Sequence, residues 1–388
     1  MRFIHTSDWH LGRRFHSYDL LPAQQQFLDW LLATAVAESV DAVLVAGDIY
    51  DRSQPPGEAV ALLGRTVSGF ADAGIPLILT AGNHDSPVRL DYGKQLFADR
   101  GIHIRADLPS SLEPVVLEDE HGPVGFYGVP YLHPDLVGEE LGAARSHESV
   151  LSAVTDRITA DAASRGLRRT VVSAHAFITG GDRSESELDI RVGGADNAAA
   201  GIFEGFNYVA LGHLHGPQTV KLPDSDTTLA YSGSPIAFSF GERNHNKSVS
   251  LVEVAGSGDV SLERVTVPGQ RLVRQVKGQL LDLIEMGRGE EGAQRDAYIK
   301  VVLTDPMRPD APMERLRQVW PNAIALDLAP DVDLRSSEHD LQALQGVNDP
   351  LEISESFYEY VTGRALPPDR EAVLQDVIEA TMHAQVSA

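Results

Sequence analysis

The 388-residue chain contains no cysteine. Disulfide scaffolds, thiolate zinc sites, iron–sulfur clusters and cysteine nucleophiles are therefore excluded. No apolar run is long enough to cross a bilayer, and Met1-Arg2-Phe3-Ile4-His5 leads into polar residues without a signal-peptide core. The expected location is the cytoplasm, with no membrane partner. Positive charge is also scarce: 32 Lys and Arg stand against 56 Asp and Glu, a formal −24. A protein that grips nucleic acid with its own basic surface leans the other way, so a nucleic-acid function must find positive charge elsewhere. What is present, 43% hydrophobic and 23% charged residues, is ordinary for a folded protein, and the length suits two or three domains.

The first two-thirds alternates short apolar runs with helical patterns, which predicts an α/β architecture. Strands are expected at Arg2–Thr6, Ala42–Ala46, Pro76–Thr80, Val124–Val129, Thr170–Ser173 and Tyr208–Leu211. One amphipathic helix opens at Pro22 with Phe27, Leu28, Leu31, Leu32, Ala35 and Val36 as its stripe. Another follows Pro55-Pro56 with Val60, Leu63, Val67 and Phe70. Ser248–Ala255 and Asp259–Val267 read as a hairpin around Gly256-Ser257-Gly258. Pro268-Gly269 marks a boundary, giving domains 1–268, 269–345 and 346–388. The middle one reads as strand Ala297–Leu303, helix Met313–Val319 and strand Ala323–Leu328, with Glu285–Glu291 as a loop. The last holds two helices, Asp349–Gly363 and Asp369–Met382, with stripes of Ile353, Phe357, Tyr360, Val361 and of Val373, Leu374, Val377, Ile378, Met382.

Five polar clusters each follow an apolar strand: Asp8-Trp9-His10, Gly47-Asp48 with Asp51 close behind, Gly82-Asn83-His84-Asp85, His175, and Gly212-His213-Leu214-His215. Ligand-handling residues gather at the carboxyl ends of strands in such sheets. The bland alternative, that these are strand-end turn formers, explains single clusters but not the ordered set. Asp8, His10, Asp48, Asn83, His175, His213 and His215 offer carboxylate, carboxamide and imidazole donors, which suit manganese, iron or zinc better than magnesium. Seven ligands exceed the need of one open catalytic ion and fit two ions sharing a carboxylate, an arrangement suited to in-line displacement at phosphorus. His84 remains free for proton transfer or charge stabilisation, and Asp85 is placed to orient its imidazole. Asp51 either supports a ligand or caps a turn.

These clusters resemble the calcineurin-like metallophosphoesterases, whose fold is two facing β-sheets flanked by helices. Within them, Ile4-His5-Thr6-Ser7-Asp8-Trp9-His10-Leu11-Gly12, Val45-Ala46-Gly47-Asp48-Ile49-Tyr50-Asp51, Ala81-Gly82-Asn83-His84-Asp85-Ser86 and Tyr208-Val209-Ala210-Leu211-Gly212-His213-Leu214-His215 are similar to the SbcD family of nuclease subunits. So are Tyr231-Ser232-Gly233-Ser234-Pro235 and Ser239-Phe240-Gly241-Glu242. The resemblance implies one manganese held by Asp8, His10, Asp48 and His215, a second held by Asp48, Asn83, His175 and His213, and His84 stabilising the transition state. It also implies a small α+β DNA-capping domain near 270–345 and a C-terminal helical segment docking an SbcC-type ATPase subunit. The implied activity is manganese-dependent DNA exonuclease and endonuclease action on double-strand ends and hairpins, by a homodimer within a heterotetramer. Arg13, Arg14, Arg89, Arg183 and Arg191 lie near motif loops, where they either contact phosphates or are simply solvated. Two alternatives share features with this reading: a small-molecule phosphodiesterase of the cyclic-nucleotide type, and a catalytically silent DNA-end scaffold.

Overall fold

The computed structural model describes residues 1–184, 186–187, 197–329, 349–362 and 365–386, with side chains left undescribed at 360–362, 369 and 379–386. Two compact units divide the chain: 1–274 with 296–298, and 275–295 with 299–388. No helix among the described residues is long and apolar enough to cross a membrane.

The first unit is a sandwich of two six-stranded sheets. One runs 260–266, 248–254, 2–6, 42–46, 77–80, 102–105 in spatial order. The other runs 218–220, 228–231, 208–212, 169–175, 122–129, 115–119. In the first sheet, strands 2–6, 42–46, 77–80 and 102–105 pair in parallel. In the second, 228–231, 208–212, 169–175 and 122–129 do the same. Strand periodicity assigns the layers. Phe3, Ala42 and Leu44 point between the sheets with Phe126, Val171 and Tyr208, whereas Ile4, Val43 and Val45 point outward onto helices. Phe3 meets Phe126 edge-to-face with centroids 5.4 Å apart, a geometry favoured by ring quadrupoles.

Helices Leu21–Ala37 and Gly57–Ala73 cover the first sheet, and His147–Arg165 covers the second. Both covering stripes on the first sheet differ from the expected ones. Val36 and Val60 are exposed, while Gln24, Ala59, Leu62 and Thr66 are buried. Polar Gln24 and Thr66 occupy core positions, which shifted the apparent phase of the apolar pattern. The hairpin forms at 248–254 and 260–266, closed by Gly258 at φ 95°.

The second unit holds most of the sheet 273–278, 298–303, 323–328, the last two strands parallel. Its helix at Pro312–Arg317 starts and ends near the expected one. The expected loop at Glu285–Glu291 is a correction: Leu280–Arg288 is a helix that buries Leu280 and Leu283. Glycines and acidic residues concealed that i, i+3 stripe in the sequence. Helices Pro350–Thr362 and Pro368–Val386 follow.

Candidate metal centre

The carboxyl ends of strands from both sheets converge on one buried cluster. Four of the seven expected ligands have left-handed backbones: Asp8, His10, Asp48 and His213 at φ 53, 44, 50 and 102°. Each such residue costs on the order of 1–3 kcal/mol and persists only where its surroundings over-determine it. The Asp8 and His10 amides donate to the carbonyls of Gly47 and Asp48 at 3.0 and 2.9 Å. Trp9, between them, is fully buried against Phe27. Its indole goes into the core while Asp8 and His10 turn to the site. Gln24 clamps the same loop, donating Nε2 to the Trp9 and His10 carbonyls at 3.0 and 2.7 Å and accepting from the Gly12 amide at 3.0 Å.

Two glycines set how closely the loops approach. A Cβ on Gly82 would sit 2.1 Å from Asp48 Oδ1, and one on Gly212 would sit 1.6 Å from the Ala46 carbonyl oxygen. Only hydrogen fits at either position.

The structure brings all seven expected ligands together. His175 Nδ1 donates to the Ala46 carbonyl at 3.0 Å. That turns Nε2 toward Asn83 Oδ1 at 2.8 Å and Asp48 Oδ2 at 3.5 Å. The Nε2 atoms of His10 and His215 face each other at 3.2 Å, with His10 Nε2 3.5 Å from Asp48 Oδ2. The His213 amide donates to Asp8 Oδ1 at 3.0 Å, while its ring Nε2 is buried without a hydrogen-bond partner. Donor atoms of Asp8, His10 and His215, and those of Asp8, Asp48 and His175, lie within 4.8 Å of one another. A third group, His10, Asp48 and His84, meets the same limit, so Asp8 and Asp48 each belong to two of the three. Converging lone pairs and an orphaned imidazole nitrogen fit a pair of divalent cations.

Electrostatics agree. Burial pulls the His175 imidazole down, but the Asp48 carboxylate outweighs it and pushes it up to about 9. Burial wins at His10 and His213, whose imidazoles are held well below their ordinary value. Burial pushes Asp8 up to about 6, with Asp48 adding and the neighbouring imidazoles opposing. Burial would also raise Asp48, yet His175 and His10 hold it well below the usual carboxylate range.

His84 borders this cluster, its Nε2 4.0 Å from Asp48 Oδ2. The expectation that Asp85 orients its ring is corrected by the hydrogen bonds. His84 Nδ1 donates to the Asp51 carbonyl at 2.7 Å. The Asp85 carboxylate instead accepts the amides of Ile49, Tyr50 and Gly82 at 3.0, 2.8 and 2.8 Å, tying the second and third ligand loops together. Burial, aided by Asp48, pushes Asp85 up to about 7. Asp51 supports the site through its carbonyl, while its carboxylate lies 3.4 Å from Arg13.

Further supporting residues escaped the sequence reading. Glu242 and Lys247 form a buried ion pair whose ammonium donates to the His215 carbonyl at 3.0 Å. Ser186 and Glu187 reach His215 from another loop. Two signals were readable: Glu242 stands in the Ser239-Phe240-Gly241-Glu242 motif, and Gln24 is a polar residue within an apolar helical stripe. Of the arginines, Arg13 turns inward over Phe238, Arg183 lies over Phe177, and Arg14 and Arg89 are exposed. Arg191 is outside the described residues.

Calcineurin-like phosphoesterases match residues 1–217, more than half of the chain. The chain belongs to that family. A second family, described as the type 5 capsule protein repressor C-terminal domain, matches residues 269–362. The SbcD subunit of the SbcCD nuclease from Staphylococcus saprophyticus is 29% identical over 385 residues, covering 98% of this chain and 99% of that protein. Among solved structures, TT1561 of Thermus thermophilus matches 68% of this chain and 98% of its own at 11% identity and a TM-score of 0.41. A dimetal phosphatase from Danio rerio matches 69% and 99%, at 11% and 0.41. As a calcineurin-like phosphoesterase, the chain is a metal-dependent hydrolase of phosphoesters, and its His/Asp cluster is compatible with a dimetal site.

Proposed function

We propose that this calcineurin-like phosphoesterase is the nuclease subunit of an SbcCD-type complex, a manganese-dependent DNA exonuclease and endonuclease acting on double-strand ends and hairpins. The observation that carries the reading is the end-to-end likeness to the staphylococcal SbcD nuclease subunit. Asp8, His10, Asp48 and His215 would hold one ion; Asp48, Asn83, His175 and His213 would hold the other. When bound, the ions supply positive charge at the scissile phosphate and lower the pKa of the attacking water. The chain's own residues do the rest. The Asp51 carbonyl holds Nδ1–H of His84, so Nε2 is the nitrogen that faces the site and, when protonated, donates to the departing oxygen.

The remaining chain fits a subunit of a larger assembly. Residues 269–345 would cap DNA, and 346–388 would dock the ATPase subunit. The tail carries eight acidic residues against Arg364 and Arg370, a poor grip for DNA. Its helices expose Ile353, Phe357, Val373 and Val377, an apolar offer to a partner groove. Beyond His84, the short helices Pro87–Leu90 and Lys94–Ala98 and the turn between them expose Val88, Tyr92 and Leu96. That patch suits a second copy of the chain, in the homodimer the resemblance implies. The ATPase partner would supply the basic surface this acidic chain lacks, so DNA binding by the isolated chain is expected to be weak and strongly salt-dependent.

A small-molecule phosphodiesterase would use the same metal core but leaves the second family match and the exposed tail without a purpose. The test is manganese-dependent cleavage of end-labelled duplex and hairpin DNA, wild type beside His84→Ala, with bis-p-nitrophenyl phosphate as control. Loss of DNA cleavage on the order of 10²- to 10⁴-fold in the mutant is expected. Turnover of the diester with DNA untouched, even with the ATPase partner present, would favour the small-molecule enzyme. Absence of both activities and of bound metal would favour the silent scaffold.

A further inference from the structure

We infer that Ser186 is a positioning residue of the metal centre: it links the Glu242 carboxylate to Nδ1 of His215 and thereby fixes which nitrogen of that imidazole is free to bind an ion. The inference rests on the dimetal reading of the site and adds a component of the chain outside its motifs.

The direction of each hydrogen bond follows from the atoms. Ser186 Oγ lies 2.5 Å from Glu242 Oε1 and 2.7 Å from His215 Nδ1. A hydroxyl has one proton, and an ionised carboxylate only accepts, so Oγ–H donates to Glu242 and accepts from Nδ1–H. Nε2 of His215 is then left with its lone pair, facing His10 Nε2. Glu242 is itself immobilised: its other oxygen is taken by Lys247, whose Nζ also donates to Ser234 Oγ at 2.8 Å. Without the serine, Nδ1 stands 3.6 Å from Glu242 Oε1, beyond a good hydrogen bond.

The serine is delivered by a loop rather than by either sheet. Arg13 Nη2 donates to the Ser186 carbonyl at 3.0 Å, and Glu187 Oε1 accepts the His215 amide at 2.8 Å. His175 receives the equivalent restraint from the Ala46 carbonyl, which no substitution removes. At His215 the restraint is a side chain, so the two ion sites differ in how they can be perturbed.

The test uses the full chain as wild type, Ser186→Ala and Ser186→Thr. Manganese is titrated by calorimetry, and imidazole ¹⁵N shifts are recorded on the metal-free proteins. Wild type should bind two ions and show His215 protonated at Nδ1. Ser186→Ala should weaken one of the two ions about 10- to 100-fold and mix the His215 tautomers, and Ser186→Thr should restore both properties. Wild-type affinity and tautomer in Ser186→Ala would overturn the inference, as would equal weakening in the threonine variant. A wild type binding fewer than two ions would overturn the dimetal reading itself, and this inference with it.

Discussion

The two units of the chain treat polarity and strain in opposite ways. In the first, buried carboxylates and imidazoles sit on left-handed backbone held by main-chain hydrogen bonds. In the second, Ala311 is the only described non-glycine residue with positive φ, and the C-terminal helices leave large apolar side chains facing solvent. Chemistry at phosphorus needs donors fixed to fractions of an ångström, which strain on a rigid scaffold can provide. An amphipathic helix presenting apolar area is what a partner groove takes up, the role proposed for the tail.

The largest break in that comparison is expected from Asp48→Asn. Its carboxylate contacts His10 and His175, so its loss should release both ions and lower hydrolysis on the order of 10³-fold, measured with metal analysis beside diester turnover. Next come paired glycine substitutions. Gly212→Ala forces a Cβ onto a carbonyl oxygen and should cost on the order of 3 kcal/mol. Gly289→Ala in the second unit, whose nearest neighbour is the Met286 carbonyl oxygen at 3.5 Å, should change stability by less than about 0.5 kcal/mol. Urea titration of both variants checks the contrast.

A smaller effect concerns pH. In the metal-free protein the His175 imidazole is held up to about 9, above the 6.5 of an unfolded chain. The stability it contributes is complete below pH 6.5 and is lost as pH rises through about 9. Melting temperature between pH 6 and 9.5 should therefore fall more steeply in wild type than in His175→Gln. The smallest change should come from Phe357→Ser with Val377→Ser. Stability should shift by no more than about 0.5 kcal/mol and diester turnover not at all, while affinity for the ATPase subunit falls about tenfold. Undiminished affinity would remove the tail from the docking surface.

The strands and their ligand loops were legible because turn formation alone rarely ends a series of apolar runs in Asp, His and Gly-Asn-His. Helix phase was less so, since Gln24 and Thr66 look like surface residues until their hydrogen bonds are seen. Asp85 misled by adjacency. It neighbours His84 in the chain, but three backbone amides claim its carboxylate. Glu242 stood in a quoted motif without a role, and its partners Ser186, Glu187 and Lys247 were illegible. Each is ordinary alone, and only tertiary folding joins positions some 60 residues apart.

At Gly212, main chain meets main chain across the two sheets, the Ala46 carbonyl being the nearest atom to where a Cβ would stand. The spacing of the metal ligands is therefore set by peptide dimensions rather than by the volume of hydrophobic residues. Repacking the core can tune how stable this enzyme is, but the gauge of its active site lies in the backbone and would be inherited by core variants that leave Gly82 and Gly212 in place.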